Sequence, residues 1–266
     1  ATVVPVVDST TNYFPQINTS LKQRPITPTN PKVKPNAVEP NNGMATGSVL
    51  STPIGQNPLA KFPGIGFTGP IPPDPDIAVG PKHVVEVVNG GVAFFEKGGK
   101  KVFQQQDSPT GFWSGLNCTD FIYDPKAFYD HLAKRFFIVE LEMDDANKGS
   151  WILIAVSDDD NPVGTWYKYR MAVNVKVGEN EHWLDYPGLG YNKDGFVISG
   201  NMFPFVDGEY FGQAICMPKA PMLTGQAVTI TKFRTEKPQI QLSRTPDASM
   251  TSVFGVARGG FNGSTL

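Results

Sequence analysis

From about Pro75 onward the chain alternates short apolar runs with clusters of Gly, Pro, Asp and Asn. The runs are His83–Val88, Val92–Phe95, Arg135–Leu141, Trp151–Ser157, Trp166–Arg170, Gly195–Gly200, Tyr210–Met217 and Ala227–Phe233. All have strand length and end in turn-forming residues. None carries an apolar stripe at helical spacing over an ordinary helix length, so the predicted class is all-β.

The stretch before Pro75 has a different pattern. It holds 13 of the 24 prolines, many Asn and Thr, and few charges. Proline lacks the N–H that a helix interior or a central strand needs, which predicts an extended arm and linker over residues 1–73 and a globular part over 74–266. Such an arm has no core of its own and becomes ordered only by lying on another surface. Val3, Val4, Val6 and Val7 surround Pro5 at its tip. They form a β-prone segment suited to strand addition, either on the chain's own sheet edge or on that of another copy.

Three places share one grammar of an Asp-containing start, a turn and then a strand. They are Asp74-Pro75-Asp76 before His83–Val88, Asp120 to Asp124-Pro125 before Arg135–Leu141, and Trp183-Leu184-Asp185-Tyr186-Pro187 before Gly195–Gly200. Asp74, Asp120 and Asp185 lie 46 and 65 residues apart, close to the roughly 40–50 residues of a propeller blade, with an insertion in the second interval. A fourth start is expected at Pro246-Asp247. The segment Ser157-Asp158-Asp159-Asp160-Asn161-Pro162-Val163-Gly164-Thr165-Trp166 looks like an Asp-box turn, in which Ser and Asp side chains bond the hairpin backbone and the Trp packs beneath.

With the PPDPDIAVGP, YDP and WLDYPGLGYN stretches, this turn resembles a group of uncharacterised secreted bacterial β-propeller proteins and, more distantly, sialidase-like propellers. The resemblance covers roughly residues 66–231. It implies β-propeller-like blades, about four of them in an incomplete ring, to be completed by another chain or copy. Sialidase-like catalysis needs an arginine cluster, and between Asp74 and Tyr210 the only arginines are Arg135 and Arg170.

Composition narrows the functional classes. The 266 residues are 40% hydrophobic and 11% aromatic, enough for a real core, while 18% are charged, with a formal net charge of −2. That balance offers no basic field for nucleic acid. No run approaches the roughly 18 apolar residues of a membrane span, so membrane insertion is not expected. No basic-then-apolar segment precedes Ala1, and an exported form would be the mature one. Cys118 and Cys216 are the only cysteines, and in an exported chain they are expected to form a disulfide. Asn18, Asn117 and Asn262 each begin a glycosylation triplet, with Asn18 and Asn117 expected at the surface.

His83, His131 and His182 fall in no metal-binding or nucleophile pattern. Carboxylates offer more chemistry. Asp74, Asp76, Asp120, Asp124 and Asp185 recur at blade starts, and radial blades would gather them near a central channel, for acid–base work, for calcium, or as turn caps. Asp158 and Asp160 carry oxygen-ligand chemistry without the glycine and glutamate of an EF-hand loop. Trp113, Tyr186 and Tyr191 are candidates for stacking on sugar rings, against core packing. The functional expectation is an extracellular or cell-surface, non-enzymatic structural or adhesion module that assembles with other copies, into a filament through its arm. The alternative is a glycan-binding or glycoside-hydrolysing propeller.

Overall fold

The computed structural model describes residues 12–13, 16–18, 60–235 and 237–257. Within them the protein is all-β: antiparallel sheets of four to five strands, one of them a curled half-barrel, with one four-residue helix. The first sheet is a meander of β3 (Asp76–Val79), β4 (His83–Val88), β5 (Gly91–Glu96) and β6 (Lys101–Gln105). The second runs β7 (Ile122–Asp130), β8 (Arg135–Asp144), β9 (Gly149–Ser157) and β10 (Trp166–Ala172). The third orders β11 (Val175–Val177), β12 (Asn180–Tyr191), β13 (Gly195–Pro204), β14 (Phe211–Pro218) and β16 (Thr231–Thr235). A hairpin of β17 (Gln241–Leu242) and β18 (Gly255–Val256) follows.

Side-chain alternation explains the stacking. On the second sheet Phe137, Val139, Ile152 and Ile154 enter one cluster with Leu184, Phe196 and Ile198 of the third sheet. Their neighbours Phe136, Ile138, Leu153 and Ala155 enter another with Val85, Val87 and Phe94 of the first. Period-two geometry thus sends successive residues to opposite sheets, and both faces are dry. This is why Arg135–Leu141 reads as a nearly unbroken apolar run. Each fully buried Phe, Ile or Val contributes on the order of 1.5–3 kcal/mol.

Each of these sheets, like the last hairpin, has a strand that contains or follows a non-glycine residue in the left-handed region. Asp74 (φ 43°) precedes β3, Asp124 (φ 52°) lies in β7, Tyr186 (φ 55°) in β12, and Gln239 (φ 57°) precedes β17. In β7 and β12 the kink is a bulge, with register shifts between Tyr123 and Lys126 and between Asp185 and Gly188. The repeat therefore aligns Asp124 with Asp74 where the sequence spacing had suggested Asp120. The fourth unit starts at Gln239 rather than at Pro246-Asp247.

Residues 60–68 also belong to the globular body. Phe62 and Ile65 cover Val84, Ala93 and Phe95 on the outer face of the first sheet, and the Ile65 N–H donates to Glu86. In the arm, β2 (Gln16–Asn18) pairs with β10, and β1 (Asn12–Tyr13) pairs with β15 (Val228–Thr229). The first contact extends the second sheet at its β10 edge, and the second makes a separate two-stranded sheet, both within this chain. Val3, Val4, Val6, Val7 and Asn262 lie outside the described residues.

Candidate functional site

The left-handed residues are joined across sheet boundaries by one repeated bond. The Asp124 N–H donates to Asn89 Oδ1 (2.9 Å), the Tyr186 N–H to Asp124 Oδ2 (3.1 Å), and the Gln239 N–H to Asn201 Oδ1 (2.7 Å). Asn89 directly follows β4 and Asn201 sits on β13. Asn89 also donates to Pro72 O (2.9 Å) and to Asp74 Oδ2 (2.8 Å). Asp124 consequently lies close to both Asp74 and Asp185, where the first three units meet.

For Asp124 this company is electrostatically unfavourable for ionisation. Burial first, then the charges of Asp185 and Asp74, raise the Asp124 carboxyl to about 6, against a lowering by the Tyr186 N–H. Asp76 is separately tied down, accepting from the Ile77 and Ala127 N–H groups. Asp120 is exposed in the loop before β7. Among the described residues no three His, Cys, Asp or Glu come together in a metal-holding arrangement.

From this carboxylate end a line of aromatic rings crosses the surface. Phe121 lies 5.2 Å from Tyr123, Tyr123 6.1 Å from Trp183, Trp183 5.5 Å from Phe203, and Phe203 5.3 Å from Tyr210, centroid to centroid. Phe121 and Tyr210 are exposed at 54% and 51%, while the three rings between are half-buried. Phe203 and Tyr210 stack with planes 16° apart. Tyr123 is anchored by its hydroxyl, which donates to Leu184 O, and Tyr186 stands exposed beside Asp124. Sequence reasoning missed this line, although a signal existed. Ile71, Phe121 and Trp183 each sit three residues before a left-handed residue of the repeat, and Ile71 and Phe121 are exposed.

Other expected residues are placed elsewhere. Trp113 is fully buried and Tyr191 is 4% exposed, so neither ring is open to a ligand. Trp113 instead donates to Glu140, and Tyr191 stacks on Phe128. Asp158 and Asp160 lie in the β9–β10 hairpin, far along the chain from the Asp74 network. There Ser157 Oγ accepts from the Phe136 N–H and donates to Asp159 O, Asp159 accepts from the Asn161 N–H, and buried Trp166 donates to Pro162 O. Ser157 and Asp159 thus bond the backbone of the hairpin above the buried Trp166.

Asn117 is exposed, and Asn18 lies in β2 opposite Trp166. Cys118 and Cys216 are free thiols, and no disulfide joins them. Cys118 packs at the edge of the cluster between the first two sheets, while Cys216 belongs to β14 of the third. Burial, reinforced by the charge of Glu142, pushes the Cys118 thiol up to about 12, and burial raises Cys216 too. His182 is held between the carbonyls of Asn180 and Glu209, and His131 meets Tyr129 edge-on.

No family model, curated protein or solved structure matches the chain.

Proposed function

We propose that the protein is an extracellular, non-enzymatic adhesion module of β-propeller-like build that recognises carbohydrate along its aromatic line. The propeller reading is supported by consecutive meanders stacked face to face and by equivalent left-handed residues opening each unit. The single observation that carries the functional reading is the run Phe121, Tyr123, Trp183, Phe203 and Tyr210, which starts beside Asp124 and Asp185. Aromatic faces stack on the apolar faces of sugar rings, and adjacent carboxylates accept hydrogen bonds from hydroxyls. Affinity electrophoresis in gels containing soluble xylan, β-glucan or galactomannan tests this. The native chain should be retarded by at least one polymer, and Tyr210→Ala and Phe121→Ala should migrate freely. Absence of retardation in all gels, or retardation unchanged by both substitutions, overturns the reading.

A second reading, assembly with other copies, is favoured by apolar side chains at both ends of the stack. Ile77 and Val79 on β3 are 57% and 47% exposed, and Phe254 and Val256 of the last hairpin are each 58% exposed. Contact of one end with the other end of a neighbour is head-to-tail and propagates a filament. Asn12–Tyr13 and Gln16–Asn18 pair within their own chain, which leaves strand addition in trans to Val3, Val4, Val6 and Val7. Sedimentation velocity over a hundredfold concentration range should show growing species that Ile77→Asp abolishes. A concentration-independent monomer rejects this reading.

A further inference from the structure

A cleft of about 320 Å³ opens among the four inner strands, lined by Asp76, Lys126, Gly188, Gln241 and Arg244 together with neighbouring backbone. Its first four named residues hold the same place in the repeat, each two positions after the left-handed residue of its unit. The cleft is thus where the units meet, and none of its lining residues belongs to the aromatic line.

Its charges are unevenly satisfied. The Asp76 carboxylate already accepts from the Ile77 N–H (2.8 Å) and the Ala127 N–H (3.2 Å). Arg244 Nη2 stands 3.8 Å from Asp76 Oδ2, beyond hydrogen-bond distance, and its guanidinium lies 5.8 Å from the Phe128 ring centroid. Among the described residues Lys126 makes no ion pair. Two cations therefore face a cleft whose one carboxylate is occupied by backbone, leaving one net positive charge and unused donors. A planar monoanion matches both, because guanidinium binds carboxylate in a fork and ammonium adds a point charge, whereas a dianion meets the repulsion of Asp76.

We propose that this cleft binds a small carboxylate-bearing ligand, with Arg244 and Lys126 holding the carboxylate and Gln241 contacting its polar remainder. A volume of this size is at the lower end for ligand sites and suits a molecule of about six carbons. The site is independent of the aromatic line, and Tyr210→Ala should leave it unchanged.

Titration calorimetry on the full chain, with gluconate, its neutral counterpart sorbitol, and inorganic phosphate as probes, tests the assignment. Gluconate should bind at least about tenfold more tightly than sorbitol or phosphate. Arg244→Gln and Lys126→Gln should each weaken gluconate about tenfold, and Asp76→Asn should strengthen phosphate relative to gluconate. Both cationic side chains are partly exposed, so the variants should keep their circular dichroism; should one fail to fold, the other carries the same readout. Equal affinity for gluconate and sorbitol, no heat with any probe, or gluconate binding unchanged in the folded variants overturns the proposal.

Discussion

Asn89, at the end of β4, accepts a hydrogen bond from the backbone N–H of Asp124 in the next sheet, 2.9 Å away, and its amide simultaneously donates to Pro72 O and Asp74. One side chain thereby holds the start of two units. The Gln239 N–H meets Asn201 in the same way at the last unit. Because Asn89 is 6% exposed, its partners are left without water when it is truncated.

Asn89→Ala is expected to cost about 3 kcal/mol, since several polar groups lose their partner in a dry site. Asn201→Ala removes one bond of the same kind and should cost about 1–2 kcal/mol. Urea unfolding at neutral pH measures both. Equal and negligible losses would remove the junction role assigned to these bonds.

Stability should decline as pH rises from about 4 to about 7. Burial lifts the Asp107 carboxyl from its ordinary range to about 7, against lowering by the Gly90 N–H, and Glu140 is raised in the same direction by burial and then by the charge of Asp107. In this window the folded chain keeps a proton that the unfolded chain has released, so stability is fullest below the unfolded value and is lost towards the folded one. For Asp107 the change is on the order of 4 kcal/mol. Asp107→Asn should flatten the profile and be the more stable protein at pH 7.5, with little difference near pH 4. Parallel profiles for the two proteins would contradict this.

Lys219 and Asp130 form a buried ion pair at 2.5 Å, with side chains 2% and 0% exposed, linking the α1 turn (Lys219–Met222) to the end of β7. Lys219→Met should cost about 3–5 kcal/mol by stranding a carboxylate. Adding Asp130→Asn should recover much of that loss, because the amide oxygen still accepts from the Leu132 and Ala133 N–H groups and no charge remains buried. A double-mutant cycle reads the coupling directly, and additive losses would dismiss the pair as a unit.

The last hairpin lies on glycine. A Cβ at Gly190 would stand 2.6 Å from Leu242 Cβ and 2.7 Å from Val253 Cγ1, so Gly190→Ala must push the hairpin off the third sheet. About 1–3 kcal/mol is expected. Limited proteolysis should then cleave within residues 240–256 before any other described segment, and an unchanged cleavage map would show that the hairpin does not depend on this approach.

Much of the strand pattern was legible. His83–Val88 is β4 as read, and Arg135–Leu141, Trp151–Ser157, Trp166–Arg170 and Gly195–Gly200 each lie inside an observed strand. These are middle strands packed on both faces, where β-branched and aromatic residues run together. The inner strands were harder to read. β7 and β12 contain Asp124-Pro125 and Tyr186-Pro187, and proline with a left-handed neighbour marks a turn in isolation. In this fold the same residues make a bulge inside a continuing strand.

The sequence by itself determined the all-β class, the repeat of Asp- and Pro-marked starts, and the β9–β10 hairpin turn, because alternation and turn chemistry are local and act within a few residues. Only tertiary structure decided which start aligns with which, that Trp113 and Tyr191 are core while Phe121 and Tyr210 are surface, and that Lys126 and Arg244 face one cleft. Those facts depend on side chains brought together from positions up to a hundred or so residues apart, and their exposure is set by the sheet stacked against them rather than by their neighbours along the chain.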